Sequence, residues 1–163
     1  MEFLDRETLK CIAKGYDDSA IASAVVKIVT SDNEADTPSL EECVLKYIRI
    51  LEGTRVRVKE IHWSAKSSTV HMLMDSLSAF IMSYEDAIAE SFMGVCGFRI
   101  KVGQVVPEIP EISDHEDIVE YLSIQTMGLL RLLVQDPKYI GLTKKLEDMY
   151  CELNKFTYLA TQE

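Results

Sequence analysis

The stretch from Thr69 to Met93, TVHMLMDSLSAFIMSYEDAIAESFM, decides the fold class. Val70, Leu73, Leu77, Phe80, Ile81, Tyr84 and Ile88 recur at helical spacing, so the segment predicts one long amphipathic helix. On the opposite side, His71, Asp75, Asp86 and Glu90 fall within an arc of about 100°, at about 100° per residue. Met72, Ala79, Met82, Ala89 and Met93 are interleaved with them. A helix that is apolar nearly all round is expected to be covered on two sides, by its own bundle and by a partner.

A few polar residues on one helical arc ordinarily form a solvated face. Here the face carries apolar residues as well, and no Lys or Arg occurs between Lys66 and Arg99. Covering several carboxylates and an imidazole without counter-charge is very costly, and a cation is the natural compensation. Carboxylates with imidazole and no thiolate suit iron or manganese among redox-capable metals, and ligand type alone leaves zinc open. Asp75 and Asp86 are about 16 Å apart along the axis, at roughly 1.5 Å per residue, too far to share one ion. Two copies of the helix crossing antiparallel about a two-fold axis would bring the His71/Asp75 end of one to the Asp86/Glu90 end of the other, giving two equivalent sites.

Working outward, Pro38-Ser39-Leu40-Glu41-Glu42 has capping-box spacing and predicts a helix from Leu40 to about Lys66. Its core positions are Val44, Tyr47, Ile48, Leu51, Val58 and Ile61, with Gly53 as a mild interruption and Ser67-Ser68 as the break. Gly94 and Gly97 are expected to close the helix that begins at Thr69. Phe98 to Ile112 contains two prolines and alternating Val and Ile, so it reads as an irregular or extended crossover. Ser113 and Glu116 make a second capping box, opening a third helix to about Val134. After the Asp136-Pro137 turn, a fourth is expected from about Leu142 to Ala160.

The expected architecture is all-α: a four-helix bundle in residues 39–163 with a long crossover between helices two and three. That is ferritin-like connectivity, which periodicity alone does not separate from an up-down bundle. Residues 1–38 are expected to form an N-terminal extension, partly helical, with amphipathic patterns around Phe3 to Tyr16 and Ser19 to Val29. The extension holds eight acidic and four basic residues, so it is no basic arm.

The formal charge of -10 disfavours a nucleic-acid surface and favours cations as partners, although acidity alone ordinarily serves solubility. With no run of eighteen apolar residues and no basic-then-apolar start, neither a membrane span nor a secretory signal is expected, and the cytoplasm is the expected location. Cys11, Cys43, Cys96 and Cys151 form no CxxC pair and read as reduced, packed thiols. His115, in the first turn of the third helix, reads as a surface histidine.

Glu60-Ile61-His62-Trp63, then His71-x-x-x-Asp75, then Asp86-Ala87-Ile88-Ala89-Glu90, resembles the Dps mini-ferritins, the DNA-binding proteins from starved cells. The resemblance spans about residues 40 to 160, with its specific residues in 62 to 90. It implies a ferroxidase centre between two-fold-related subunits of a hollow dodecamer. His62, His71 and Asp75 would come from one subunit and Asp86 and Glu90 from its neighbour, with Trp63 beside the centre as an electron donor. The His62 to His71 interval is about three residues shorter than the family norm, and Ser91 stands where an arginine commonly follows the glutamate. The crossover does not read as containing the family's short interface helix. The expected function is an iron-binding ferroxidase that oxidises ferrous iron with peroxide or dioxygen and sequesters the ferric product, protecting against oxidative damage. The alternative is a non-catalytic assembly protein whose acidic-histidine face is a structural metal staple. The missing basic arm argues against the family's DNA compaction.

Overall fold

The computed structural model describes residues 39–162, and the expected extension, 1–38, lies outside the described residues. Among the described residues there are four α-helices and no strand: α1, Leu40–Ser64; α2, Ser68–Cys96; α3, His115–Leu133; and α4, Ile140–Ala160.

Local chemistry sets most of these boundaries. Ser39 Oγ accepts a hydrogen bond from the Glu42 backbone N–H while Glu42 Oε2 accepts one from the Ser39 N–H, the reciprocal cap that the sequence predicts. Gly94 stays within α2; Gly97, at φ 72°, is the left-handed residue that ends it. The start of α3 differs from expectation. Asp114 caps it in place of Ser113, its carboxylate accepting from the backbone of Glu116 and Asp117, since a carboxylate one residue later reaches the same orphan donors with a full charge. A 3₁₀ turn at Pro137–Tyr139 leads straight into α4, which begins at Ile140, ahead of the expected Leu142.

The four helices enclose one core that includes Val44, Tyr47, Ile48, Leu51, Leu77, Ile81, Ile88, Leu122 and Leu146. Helix α1 packs on α2 and α3, and α4 packs on α2 and α3. A buried Tyr47 hydroxyl lies 2.7 Å from Thr126 Oγ1, joining α1 to α3 inside the core. Where the start of α1 meets the 3₁₀ turn, the Lys138 ammonium and the Tyr139 hydroxyl, each 2.8 Å from Glu41 Oε1, hold the Glu41 carboxyl down at about 2.

The connection 97–114 runs back along α1 in the same direction as that helix. Arg49 Nη2 donates to the Gln104 carbonyl at 3.2 Å, the Glu108 N–H donates to the Arg49 carbonyl at 3.0 Å, and Arg57 Nε donates to the Pro110 carbonyl at 2.9 Å. Gly53 makes this path possible: a Cβ there would collide with the Glu108 carbonyl. The residue that looks like a weak point in the helix is therefore where another segment's backbone lies against it. The chain returns by this route to the far end of α1, so α3, like α2, runs antiparallel to α1. No helix of the described residues is long and apolar enough to cross a membrane.

Candidate metal centre

His62 lies in the last turn of α1 and His71 in the first turns of α2, with only residues 65–67 between the helices. The short link brings the two rings together, with centroids 3.8 Å apart and planes inclined by 30°. His62 Nδ1 donates to the His71 carbonyl at 2.9 Å, and His71 Nδ1 donates to the His62 carbonyl at 3.1 Å. A carbonyl only accepts, so Nδ1 carries a proton in both rings, which leaves Nε2 as the nitrogen that can offer a lone pair. An Nδ1–H to carbonyl bond is also the support that orients many metal-binding histidines.

Asp75 is exposed on the next turn of α2, and Asp86 and Glu90 are exposed further along the same helix. On the inner face Val70, Leu73, Met74, Leu77, Ile81 and Ile88 are buried, while Phe80 and Tyr84 sit at the core's edge, Phe80 with its ring 5.0 Å from that of Phe156. The outer face bears large apolar side chains open to solvent: Met72 is 69% exposed and Met82 57% exposed, with Ala79 exposed between them. Trp63, beside His62, is 73% exposed. The structure thus brings His62 and His71 together and keeps Asp86 and Glu90 apart from them. Among the described residues no three His, Cys, Asp or Glu side chains are grouped so as to hold a metal ion within one chain.

Two groups beside this face are not singled out by the sequence. Arg55 forms a bidentate pair with Glu52, at 2.6 Å through Nη2 and 3.0 Å through Nε, and its Nε lies 3.7 Å from Glu85 Oε2 across the α1/α2 groove. Burial, and then the charge of Glu52, push the Glu85 carboxyl up to about 7. The Glu52/Arg55 spacing marks a helical ion pair, but only the packing of α1 on α2 shows that Glu85 meets it.

His115 is not the surface histidine expected from its acidic neighbours. Its side chain is 13% exposed, and Nε2 donates to the Ala160 carbonyl at 3.2 Å, tying the start of α3 to the end of α4. Cys43 is buried, Cys96 half-buried and Cys151 exposed, all as free thiols, and Cys11 lies outside the described residues.

Comparison with protein-family models, with curated proteins and with solved structures finds no match for this chain. The reading below therefore rests on the residues themselves.

Proposed function

We propose that this chain is a Dps-like mini-ferritin: an iron-binding ferroxidase with a ferritin-like bundle, whose site is completed when two copies pair through α2. The observation that carries the reading is the outer face of α2. There His71 and Asp75 stand at one end and Asp86 and Glu90 at the other, on a surface whose exposed methionines suit contact with another chain. The path of the connection 97–114 along α1, which leaves α2 and α3 running the same way, supports ferritin-like connectivity.

In this reading ferrous iron is the substrate. His62 and His71 offer Nε2, Asp75 adds a carboxylate, and Asp86 and Glu90 of a second copy complete the donor set. Mixed imidazole and carboxylate ligation holds ferrous ion and stabilises the harder ferric product. Peroxide or dioxygen accepts the electrons; one peroxide takes one electron from each of two ferrous ions. Trp63 stands next to His62 in sequence and supplies an electron when the oxidant takes more than the iron provides. The ferric product collects as oxide inside a closed shell of subunits, dodecameric by the family resemblance, and iron held there no longer generates hydroxyl radicals. Manganese or zinc would occupy the same donors without that turnover.

The test is stopped-flow absorbance of ferric product after mixing protein, ferrous iron and peroxide. Wild-type protein accelerates oxidation over buffer, and the His71→Ala, Asp86→Ala double variant does not. Equal rates for the two proteins would refute the reading.

A further inference from the structure

Between α1, α2 and the connection 97–114 lies a cavity of about 770 Å³, of whose lining the ferroxidase reading uses only Asp86 as a ligand. Its walls are Ile48 from α1, Met82 and Ala89 from α2, and Ile100, Val105 and Pro107 from the connection. Its polar groups are the hydroxyl of Ser83 and four charged side chains, Glu52, Arg55, Glu85 and Asp86. We propose that this cavity is a binding site for a small organic cation, an apolar body bearing a protonated amine or guanidine head.

Size and lining set the class. A cavity of several hundred cubic ångströms with mostly apolar walls and a few convergent polar groups suits a small molecule. The charges set the sign. Three carboxylates face one guanidinium, and Arg55 is occupied by Glu52 through both Nε and Nη2. Glu85 lies 3.7 Å from Arg55 Nε and is hydrogen-bonded to Glu52, and Asp86 has no ion pair among the described residues. An anionic head would meet Asp86 and the Glu52/Glu85 pair, whereas a cationic one adds to the single guanidinium set against these three acids.

Two other occupants fit less well. A bare metal ion needs several donors converging at about 2 Å; Glu52, Glu85 and Asp86 form no such group, and six apolar walls offer it nothing. A second copy pairing antiparallel through α2 sets Met72 of one chain against Ala89 of the other, and α2 contains no Lys or Arg to place in the cavity. Asp86 is the one residue shared with the proposed iron site, so the decisive variant is at Glu85.

The experiment uses the full chain with methyl-labelled methionine and follows the Met82 methyl resonance by NMR during titration with hexylammonium. Hexanol, hexanoate and magnesium are separate probes. Hexylammonium is expected to shift the Met82 signal saturably, with hexanol and hexanoate at least about tenfold weaker. Glu85→Gln should weaken hexylammonium at least about fivefold without altering the helical circular dichroism. Ala89→Trp, which fills the cavity without touching its charges, should abolish the shift. Binding of hexanol as tight as that of hexylammonium would reduce the cavity to an apolar groove, and saturable binding of magnesium there would make it an ion site. Either result, or no saturable shift at all, overturns the proposal. Ferrous oxidation by Glu85→Gln at the wild-type rate would leave the ferroxidase reading standing whatever the cation result.

Discussion

His62 and His71 lock each other in place: each ring donates from Nδ1 to the other's backbone carbonyl, and the rings stack at 3.8 Å. The arrangement depends on how residues 65–67 turn the start of α2 back onto the end of α1. It presents Nε2 on both rings while the Nδ1 protons close the α1/α2 hairpin.

Because His71 is exposed, water replaces the lost bond when its ring is removed. His71→Ala should therefore lower unfolding free energy in urea by no more than about 1 kcal/mol. Ferrous oxidation should fall to the rate in buffer. A loss of activity accompanied by collapse of the fold would assign the pair a purely structural role.

Gly53→Ala should be destabilising, because the new methyl meets the Glu108 backbone rather than open solvent. Forcing a group into filled space costs about 1–3 kcal/mol, which exceeds the roughly 1 kcal/mol that alanine gains over glycine in a free helix. A urea midpoint equal to or above wild type would show that the connection does not lie on α1 in this way.

Glu41 gives a pH signature. Its carboxyl titrates at about 2 in the folded chain against an ordinary value of 4.5, chiefly because Lys138 and then Tyr139 hydrogen-bond to it. A depressed carboxylate contributes stability above its unfolded value and loses it as pH falls through the folded one. Wild type should exceed Glu41→Gln in stability at pH 7, with the gap closing between about pH 4.5 and pH 2. A gap that does not change with pH would mean that the ion pair contributes nothing.

Ala79 and Met82 lie near the middle of the outer face of α2, between the Asp75 and Asp86 ends. If that face is an isologous contact, Ala79→Arg places two like charges near its axis. Wild-type protein should sediment as a dimer or larger, and the variant at a lower mass with unchanged helicity. A wild-type monomer, or a variant of unchanged mass, would exclude pairing through this face.

The sequence reveals much of the bundle because periodicity and caps are local. The inner stripe of α2, the Ser39/Glu42 box and the closing glycine at Gly97 are each set by residues a few positions apart. What it conceals depends on contacts between distant segments. Gly53 looks like a helix defect until the backbone at Glu108 is placed against it. His115 looks solvent-facing until the end of α4 arrives beside it, and Glu85 looks like one more surface acid until α1 brings Glu52 and Arg55 to it. The candidate site divides the same way: the face holding His71, Asp75, Asp86 and Glu90 is readable from helical spacing. The stacking of His62 on His71 is not, because it depends on how three link residues turn.

The most direct test of a site shared between two chains is complementation. His71→Ala and Asp86→Ala variants are prepared separately, dissociated, mixed in equal amounts and allowed to reassociate, and ferrous oxidation by peroxide is then measured. Each variant alone should be inactive. Random pairing makes half the dimers mixed, each with one intact site out of two, so the mixture should recover about a quarter of wild-type activity. A mixture that stays inactive, although mass spectrometry shows that the chains have exchanged, would contradict a centre built from His71 and Asp75 of one copy and Asp86 and Glu90 of another.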